Sequence, residues 1–196
     1  MTSTRLEAFS DAVIAILITI MVLELRPPEG AEFDDLRVVA PHALAFVLSF
    51  IFVAIYWSNH HHLLQAIERV DGAVLWANLH LMFWLSLVPA GAAWLGEHPS
   101  HTAPAVVYGV ILLGAAVAYF ILTRSLLRCN GDDSHLAQAL GSDRKGKISP
   151  VFYVAGVVSA FFAPWLAITL YVVVAGLWLV PDRRMERALS PTLGAN

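Results

Sequence analysis

Long runs of apolar residues alternate with short polar segments along the whole chain. A helix needs about 20 mostly apolar residues to cross about 30 Å of hydrocarbon, and four runs reach this length. The last apolar stretch, 148–181, is too long for one crossing at about 1.5 Å per residue. We divide it at Pro164, because proline favours the first turn of a new helix. The pattern therefore predicts six membrane-spanning helices, at approximately 5–25, 38–56, 74–95, 103–124, 146–163 and 164–181.

The distribution of basic residues favours six crossings over the five that an undivided last stretch would give. With six crossings, ten of the 12 Lys and Arg residues share a side with both termini, and only Arg26 and Arg37 lie opposite. The positive-inside rule then predicts cytoplasmic termini and a cytoplasmic linker at 128–147. Five crossings would place the basic cluster 183–187 outside, against that rule.

Composition supports the same class of protein and excludes others. The chain is 58% hydrophobic and 14% charged, whereas soluble domains are about 45–50% apolar and about 25% charged. A single cysteine, Cys129, excludes an intrachain disulfide. Serine-hydrolase, phosphate-loop and zinc-protease motifs are absent, and so is a long basic patch for nucleic acid. We therefore expect an all-α, polytopic membrane protein, with residues 1–196 in one transmembrane domain, that is not an enzyme and binds no nucleic acid.

Polar and ionisable groups stand at the start of the first helix. Charged groups at membrane depth are costly unless they pair or face water, so they often mark functional sites. Arg5 and Asp11 are six residues apart, too far for a good pair along one helix surface. Asp11 could attract cations at an inner mouth, or it could join Ser10 in a structural network between helices. The network is the interpretation we favour.

A stripe of four residues follows on the same helix. Ile16, Thr19, Ile20 and Leu23 have the spacing of one helical face. Periodicity alone does not say whether this face meets lipid, a neighbouring helix or a pore. Core packing is the commonest explanation for such a stripe.

Three adjacent histidines, His60, His61 and His62, end the second apolar run after Trp57. Adjacent residues point about 100° apart on a helix, so the three cannot bind one ion together, and we expect no metal site here. An interfacial belt of aromatic and polar side chains is the better interpretation, with one or two histidines bonded to the first helix. Asn78 in the third run is a good candidate for an interhelical hydrogen bond.

Three motifs resemble a known family, the bacterial relatives of the endolysosomal potassium channel called transmembrane protein 175. In chain order they are Arg5-x-x-x-Phe9-Ser10-Asp11 followed by Ala-x-x-Ala-Ile-x-Ile-Thr, then Trp57-x-x-His60-His61, and then Asn78 with Pro89 and Gly96-Glu97. The first motif is the most specific. The resemblance covers about the first 100 residues in motif detail, and the second half in hydropathy only.

The resemblance implies a tetrameric channel that favours potassium over sodium. In this family four copies of the first helix line a central pore, whose constriction is formed by isoleucine and leucine with a nearby serine or threonine layer. Those positions correspond here to Ile16, Thr19, Ile20 and Leu23, the stripe already found by periodicity, with potassium passing transiently near Thr19. Glu24 would lie at the outer mouth.

The resemblance also implies that the motif residues hold the helices together rather than coordinate the ion. The expected members of this interhelical network are Arg5, Phe9, Ser10, Asp11, Trp57, His60, His61 and Asn78. The implied partners are potassium ions, the lipid bilayer and other copies in a homotetramer. The implied location is the inner membrane of a bacterium, and no cofactor is expected.

Functions of other classes remain open from the residues. Asp11 and the cluster His60–His62 could serve a proton-coupled secondary transporter, whose transport would saturate and show counterflow. The same histidines could serve a membrane-embedded metalloenzyme. Any apolar bundle could also be a scaffold that does not conduct.

Overall fold

The computed structural model of the chain describes residues 3–25, 27–67, 69–131, 136 and 144–179, and everything below refers to these. All regular structure in this part of the chain is helical, so the all-α prediction is confirmed. The helices are α1 (Ser3–Leu23), a short 3-10 helix (Phe33–Asp35), α2 (Leu36–Gln65), α3 (Gly72–Ser86), α4 (Val88–Glu97), α5 (Thr102–Asn130), α6 (Arg144–Ala160) and α7 (Pro164–Leu179).

These helices group into six apolar segments, as the hydropathy pattern predicts. By length and composition, α1, α2, α3 with α4, and α5 could each cross a membrane, while α6 and α7 are shorter apolar helices. Only Leu87 separates α3 from α4, and Pro89 stands in the first turn of α4, so the two helices form one segment with a break. The prediction of six membrane-spanning helices is confirmed.

The last apolar stretch divides at the predicted position. The N–H groups of Phe161 and Phe162 donate to the carbonyls of Val158 and Ser159, which closes α6 with a turn. Pro164 then begins α7, where its missing N–H is not needed. A single kinked helix is thereby excluded.

Two helices are longer than the apolar runs that predict them. α2 continues to Gln65, well past the predicted end near 56, so Trp57 and the three histidines lie on the helix itself. α5 continues to Asn130 and ends at Gly131, whose φ of 90° lies in the region that favours glycine. Most of the predicted linker 128–147 and the basic cluster 183–187 fall outside the described residues.

The bundle is organised around α5, which packs against α3, α4, α6 and α7. Ala105, Ala115 and Ala118 are fully buried on α5, and such small side chains allow neighbouring helices to approach closely. α1 lies at the margin of the bundle, in contact with α2, α3 and α4. One side of α1 is therefore buried in its own chain and the opposite side is open.

Candidate functional site

The open side of α1 carries the predicted constriction residues. Ile16, Ile20 and Leu23 are 57%, 41% and 81% exposed, and Thr19 is exposed between them. The buried side of the same helix consists of Leu6, Ser10, Ile14, Leu17 and Met21. Packing within the chain therefore does not account for the stripe, and the face needs lipid, water or another copy to cover it.

Thr19 has a defined hydroxyl orientation on this face. Its Oγ1 donates to the carbonyl of Ile16 at 2.7 Å. A hydroxyl has one donor hydrogen and two lone pairs, so this bond leaves lone pairs on the oxygen for water or a cation. Glu24 is exposed directly after the last residue of α1.

A buried hydrogen-bonded chain joins α1, α2 and α3. Ser10 Oγ accepts from Nδ2 of Asn78 at 3.0 Å and donates to the carbonyl of Leu6 at 2.9 Å. Oδ1 of Asn78 is 2.7 Å from Nε2 of His60, so this ring nitrogen must carry the hydrogen. Ser10, Asn78 and His60 are all fully buried. Buried polar groups need such partners, and the chain therefore fixes the mutual positions of the three helices.

A second set of polar contacts joins α1 to α2 nearer the surface. Nε1 of Trp57 donates to Oδ1 of Asp11 at 2.9 Å. One turn away, Nδ1 of His61 is 2.7 Å from Oε1 of Glu7, a contact that becomes an ion pair when the ring is protonated. Nδ1 of His61 has no hydrogen-bond partner among the described residues, so its contact with Glu7 is electrostatic. The rings of Trp57 and His61 stack, with centroids 5.8 Å apart.

The structure thus brings six of the eight predicted network residues into direct contacts, namely Ser10, Asn78 and His60 in one set and Asp11, Trp57 and His61 beside it. Arg5 and Phe9 do not join them. Arg5 is exposed and has no hydrogen bond or ion pair to any described residue, and Phe9 is 45% exposed.

Glu7 is the contact residue that sequence reasoning missed. It stands at an unspecified position of the first-helix motif, between Arg5 and Phe9, and a single glutamate at the start of a helix resembles an ordinary surface charge. Its spacing of four residues before Asp11 was the available signal, because residues i and i+4 share a helical face.

The three adjacent histidines have different surroundings. His60 bonds to Asn78, His61 approaches Glu7, and the half-buried ring of His62 lies 5.9 Å from that of His61. Across the described ranges, no three side chains of His, Cys, Asp or Glu are arranged to hold a metal ion.

Comparison with known proteins yields matches over the whole chain. A protein-family model described as "Endosomal/lysosomal potassium channel TMEM175" matches residues 5–89. A protein of Chryseobacterium sp. (strain P1-3), named a potassium channel, is 50% identical over 189 residues, which cover 96% of this chain and 98% of the relative. A protein of Chamaesiphon minutus, also named a potassium channel, is 31% identical over 185 residues, 87% of this chain and 90% of the relative.

A solved structure matches to a similar extent. The crystal structure of a protein described as a lysosomal potassium-selective channel TMEM175 homolog from Chamaesiphon minutus superposes with a TM-score of 0.81 at 28% identity. The match covers 96% of this chain and 98% of the other. The similarity therefore includes the second half of the chain, where no motif was recognised from the sequence.

Proposed function

Because this chain belongs to the TMEM175 family as a bacterial homologue, we propose that it is a potassium-selective cation channel that conducts passively down the electrochemical gradient. The family resemblance of the motifs is thereby confirmed, and so is the expectation that the chain is not an enzyme. One observation carries the proposal: the predicted constriction residues all lie on the side of α1 that its own chain leaves open.

Four copies assemble around a central axis, with α1 innermost and its open face toward the conduit. The polar contacts of Ser10 and Asp11 support this arrangement, because they tie the other side of α1 to the bundle. Because these contacts hold the opposite side of α1 against its own bundle, the stripe of Ile16, Ile20 and Leu23 cannot turn toward that bundle. In a tetramer a neighbouring copy covers what a single chain leaves exposed.

Selectivity arises from a narrow apolar passage. A hydrophobic constriction passes an ion only when water fills it or when the ion sheds part of its hydration shell. Potassium sheds its shell more readily than sodium, so the ring of Ile16, Ile20 and Leu23 favours potassium without a binding site. The four copies of Thr19 in the tetramer offer four hydroxyl oxygens to a partly dehydrated ion. Each oxygen is available because its hydrogen is donated to the carbonyl of Ile16 in the same helix.

The outer mouth attracts cations. Glu24 is exposed at the end of α1, and the adjoining loop is acidic, with Glu29, Glu32, Asp34 and Asp35. Carboxylates around an opening raise the local concentration of cations. The polar contacts of Asp11 then lie toward the cytoplasmic side, with both termini in the cytoplasm and the protein in the inner membrane of a bacterium.

The test is ion flux in proteoliposomes with Ile16→Asn. A polar side chain at the constriction wets the passage and lowers the dehydration cost, so we expect sodium permeability to rise several-fold while potassium still passes. Val154→Asn is the matched control, because Val154 is 48% exposed on α6, far along the chain from α1. An unchanged permeability ratio in Ile16→Asn would remove this residue from the constriction.

The same assay separates the channel from a proton-coupled transporter. A channel shows no counterflow, whereas a carrier that uses Asp11 or the histidines would show counterflow and saturation. The contacts of Asp11 with Trp57 and of His60 with Asn78 support the channel, because these groups are already engaged between helices.

A further inference from the structure

Two side-chain contacts, here called rungs, join α1 to α2, and Glu7 is the one residue of the four that the motifs do not specify. Asp11 meets Trp57 at 2.9 Å, and Glu7 meets His61 at 2.7 Å. Each pair of residues on one helix is spaced by four, so the rungs lie one turn apart. We propose that Glu7 is a positioning residue for the pore-lining face: its contact with His61 fixes the rotation of α1 and thereby the preference for potassium. This inference rests on the proposed channel function.

The position of Glu7 around the helix axis suits this role. Nine residues separate Glu7 from Ile16, and at about 100° per residue they lie about 180° apart on α1. A tether on one side of a helix therefore controls the direction of the side chain on the other. With a helix diameter of about 10–12 Å including side chains, a rotation of about 20° moves Ile16 by about 2 Å. A displacement of that size changes the width of an apolar constriction.

The contact of Glu7 extends the polar attachment of α1 by one turn toward its N-terminus. Ser10 and Asp11 are adjacent, so their bonds to Asn78 and Trp57 hold α1 at one level and leave small rotations and tilts possible. The contact between Glu7 and His61 adds a second level and restrains these small movements. On α2, the rings of Trp57 and His61 stack on each other, so the side chains that make the two contacts with α1 hold each other in place.

The surroundings of His61 contain the two carboxylates of α1 and two further imidazole rings of α2. The side chains of His61 and Glu7 are 34% and 23% exposed, so solvent screens their contact only in part. α1 presents the carboxylates of Glu7 and Asp11, and α2 presents the neighbouring rings of His60 and His62.

Other groups near His61 leave its interaction with Glu7 dominant. On α2, Gln65 contacts its Nε2 at 2.9 Å with a neutral amide, and Asn78 of α3 is also neutral.

The test measures the potassium-to-sodium flux ratio in proteoliposomes. Glu7→Gln removes the carboxylate from the contact with His61, so we expect the ratio to fall a few-fold below the wild-type value. Glu97→Gln is the matched control, because Glu97 is exposed at the opposite end of the bundle and should leave the ratio unchanged.

The same contact can be removed at His61 and then rebuilt with the two residues exchanged. His61→Gln should reproduce the lowered flux ratio of Glu7→Gln. The exchange variant Glu7→His/His61→Glu should return the ratio toward the wild-type value, which a general loss of packing would not do. A wild-type ratio in Glu7→Gln would overturn the proposal.

A readout without conduction separates this inference from the proposed function. The thermal midpoint of the purified protein should be lower in Glu7→Gln than in the wild type, and the exchange variant should recover part of the loss. If the midpoints behave so but no variant conducts potassium, the proposed function fails and the contact stands. If the wild type conducts selectively but Glu7→Gln alters neither the midpoint nor the flux ratio, the positioning role fails.

Discussion

At the residue scale, one hydrogen bond orients the hydroxyl of Thr19. It donates to the carbonyl of Ile16 at 2.7 Å while the side chain stays exposed on the open face of α1. The bond directs the hydrogen toward the backbone of its own helix. The hydroxyl oxygen can then act as an acceptor or a cation ligand.

Thr19→Ala should lower the potassium-to-sodium permeability ratio a few-fold while conduction persists. In the proposed tetramer the substitution would remove the four hydroxyl oxygens expected to replace part of the hydration shell, but it would leave the apolar ring. Permeability ratios from reversal potentials in planar bilayers would measure this change. Thr19→Ser should retain most of the ratio.

Thr169→Ala is the matched control for this experiment. Thr169 is also exposed and also donates to its own helix, to the carbonyl of Trp165 at 2.8 Å, but it lies on α7. Its replacement should leave the ratio unchanged. Equal ratios in wild type and Thr19→Ala would show that the hydroxyl layer has no part in selectivity.

At the scale of elements, α5, α6 and α7 pack closely because one glycine on α5 and one on α6 leave space for a tyrosine side chain of α7. Tyr171 is fully buried and its hydroxyl donates to the carbonyl of Ala105 at 3.1 Å. A Cβ at Gly109 would overlap the hydroxyl of Tyr171, and a Cβ at Gly156 would overlap its ring. The three helices can approach only because both positions lack a side chain.

Gly109→Ala should therefore destabilise the protein by about 1–3 kcal/mol, the usual cost of an overpacked core. This cost exceeds the helix-propensity gain of about 0.8–1 kcal/mol that alanine brings over glycine. Thermal unfolding of the purified protein in detergent would measure it. Combining the change with Tyr171→Phe should recover part of the loss, because the hydroxyl oxygen is the atom nearest to the added methyl group.

Gly176→Ala on α7 serves as the comparison. A Cβ at Gly176 would meet no atom within 4 Å, so this substitution should be neutral or slightly stabilising. Equal shifts of the unfolding midpoint for Gly109→Ala and Gly176→Ala would contradict the close-approach explanation.

At the scale of the whole molecule, the topology sets which ends of the helices face each compartment. α4 ends at Glu97 and α5 ends at Asn130, so these two ends lie on opposite sides of a membrane that α5 crosses once. The distribution of arginine and lysine predicts that the Asn130 end faces the cytoplasm.

Cysteine labelling tests this assignment in whole cells. In a Cys129→Ser background, Glu97→Cys should react with a membrane-impermeant maleimide added outside, because the residue is exposed at the outer end. Arg128→Cys, equally exposed at the other end of α5, should react only after the cells are made permeable. The reverse pattern would invert the proposed orientation.

The sequence alone predicted the number of membrane-spanning helices and their apolar character. Helices in lipid must satisfy their own backbone hydrogen bonds, so hydropathy and length are enough to identify spanning segments. The division at Pro164 followed from local stereochemistry in the same way. The motif around Asp11 indicated the family because it consists of polar residues in a helix that is otherwise apolar.

The sequence by itself also placed Ile16 and Leu23 on one helical face, because periodicity is a local property. Only the tertiary structure decided that this face is open, that His60 bonds to Asn78 while His61 turns to Glu7, and that Arg5 stays apart. These choices depend on the rotation and register of whole helices, which are set by the packing of side chains distant in sequence. No pattern within a single segment contains that information.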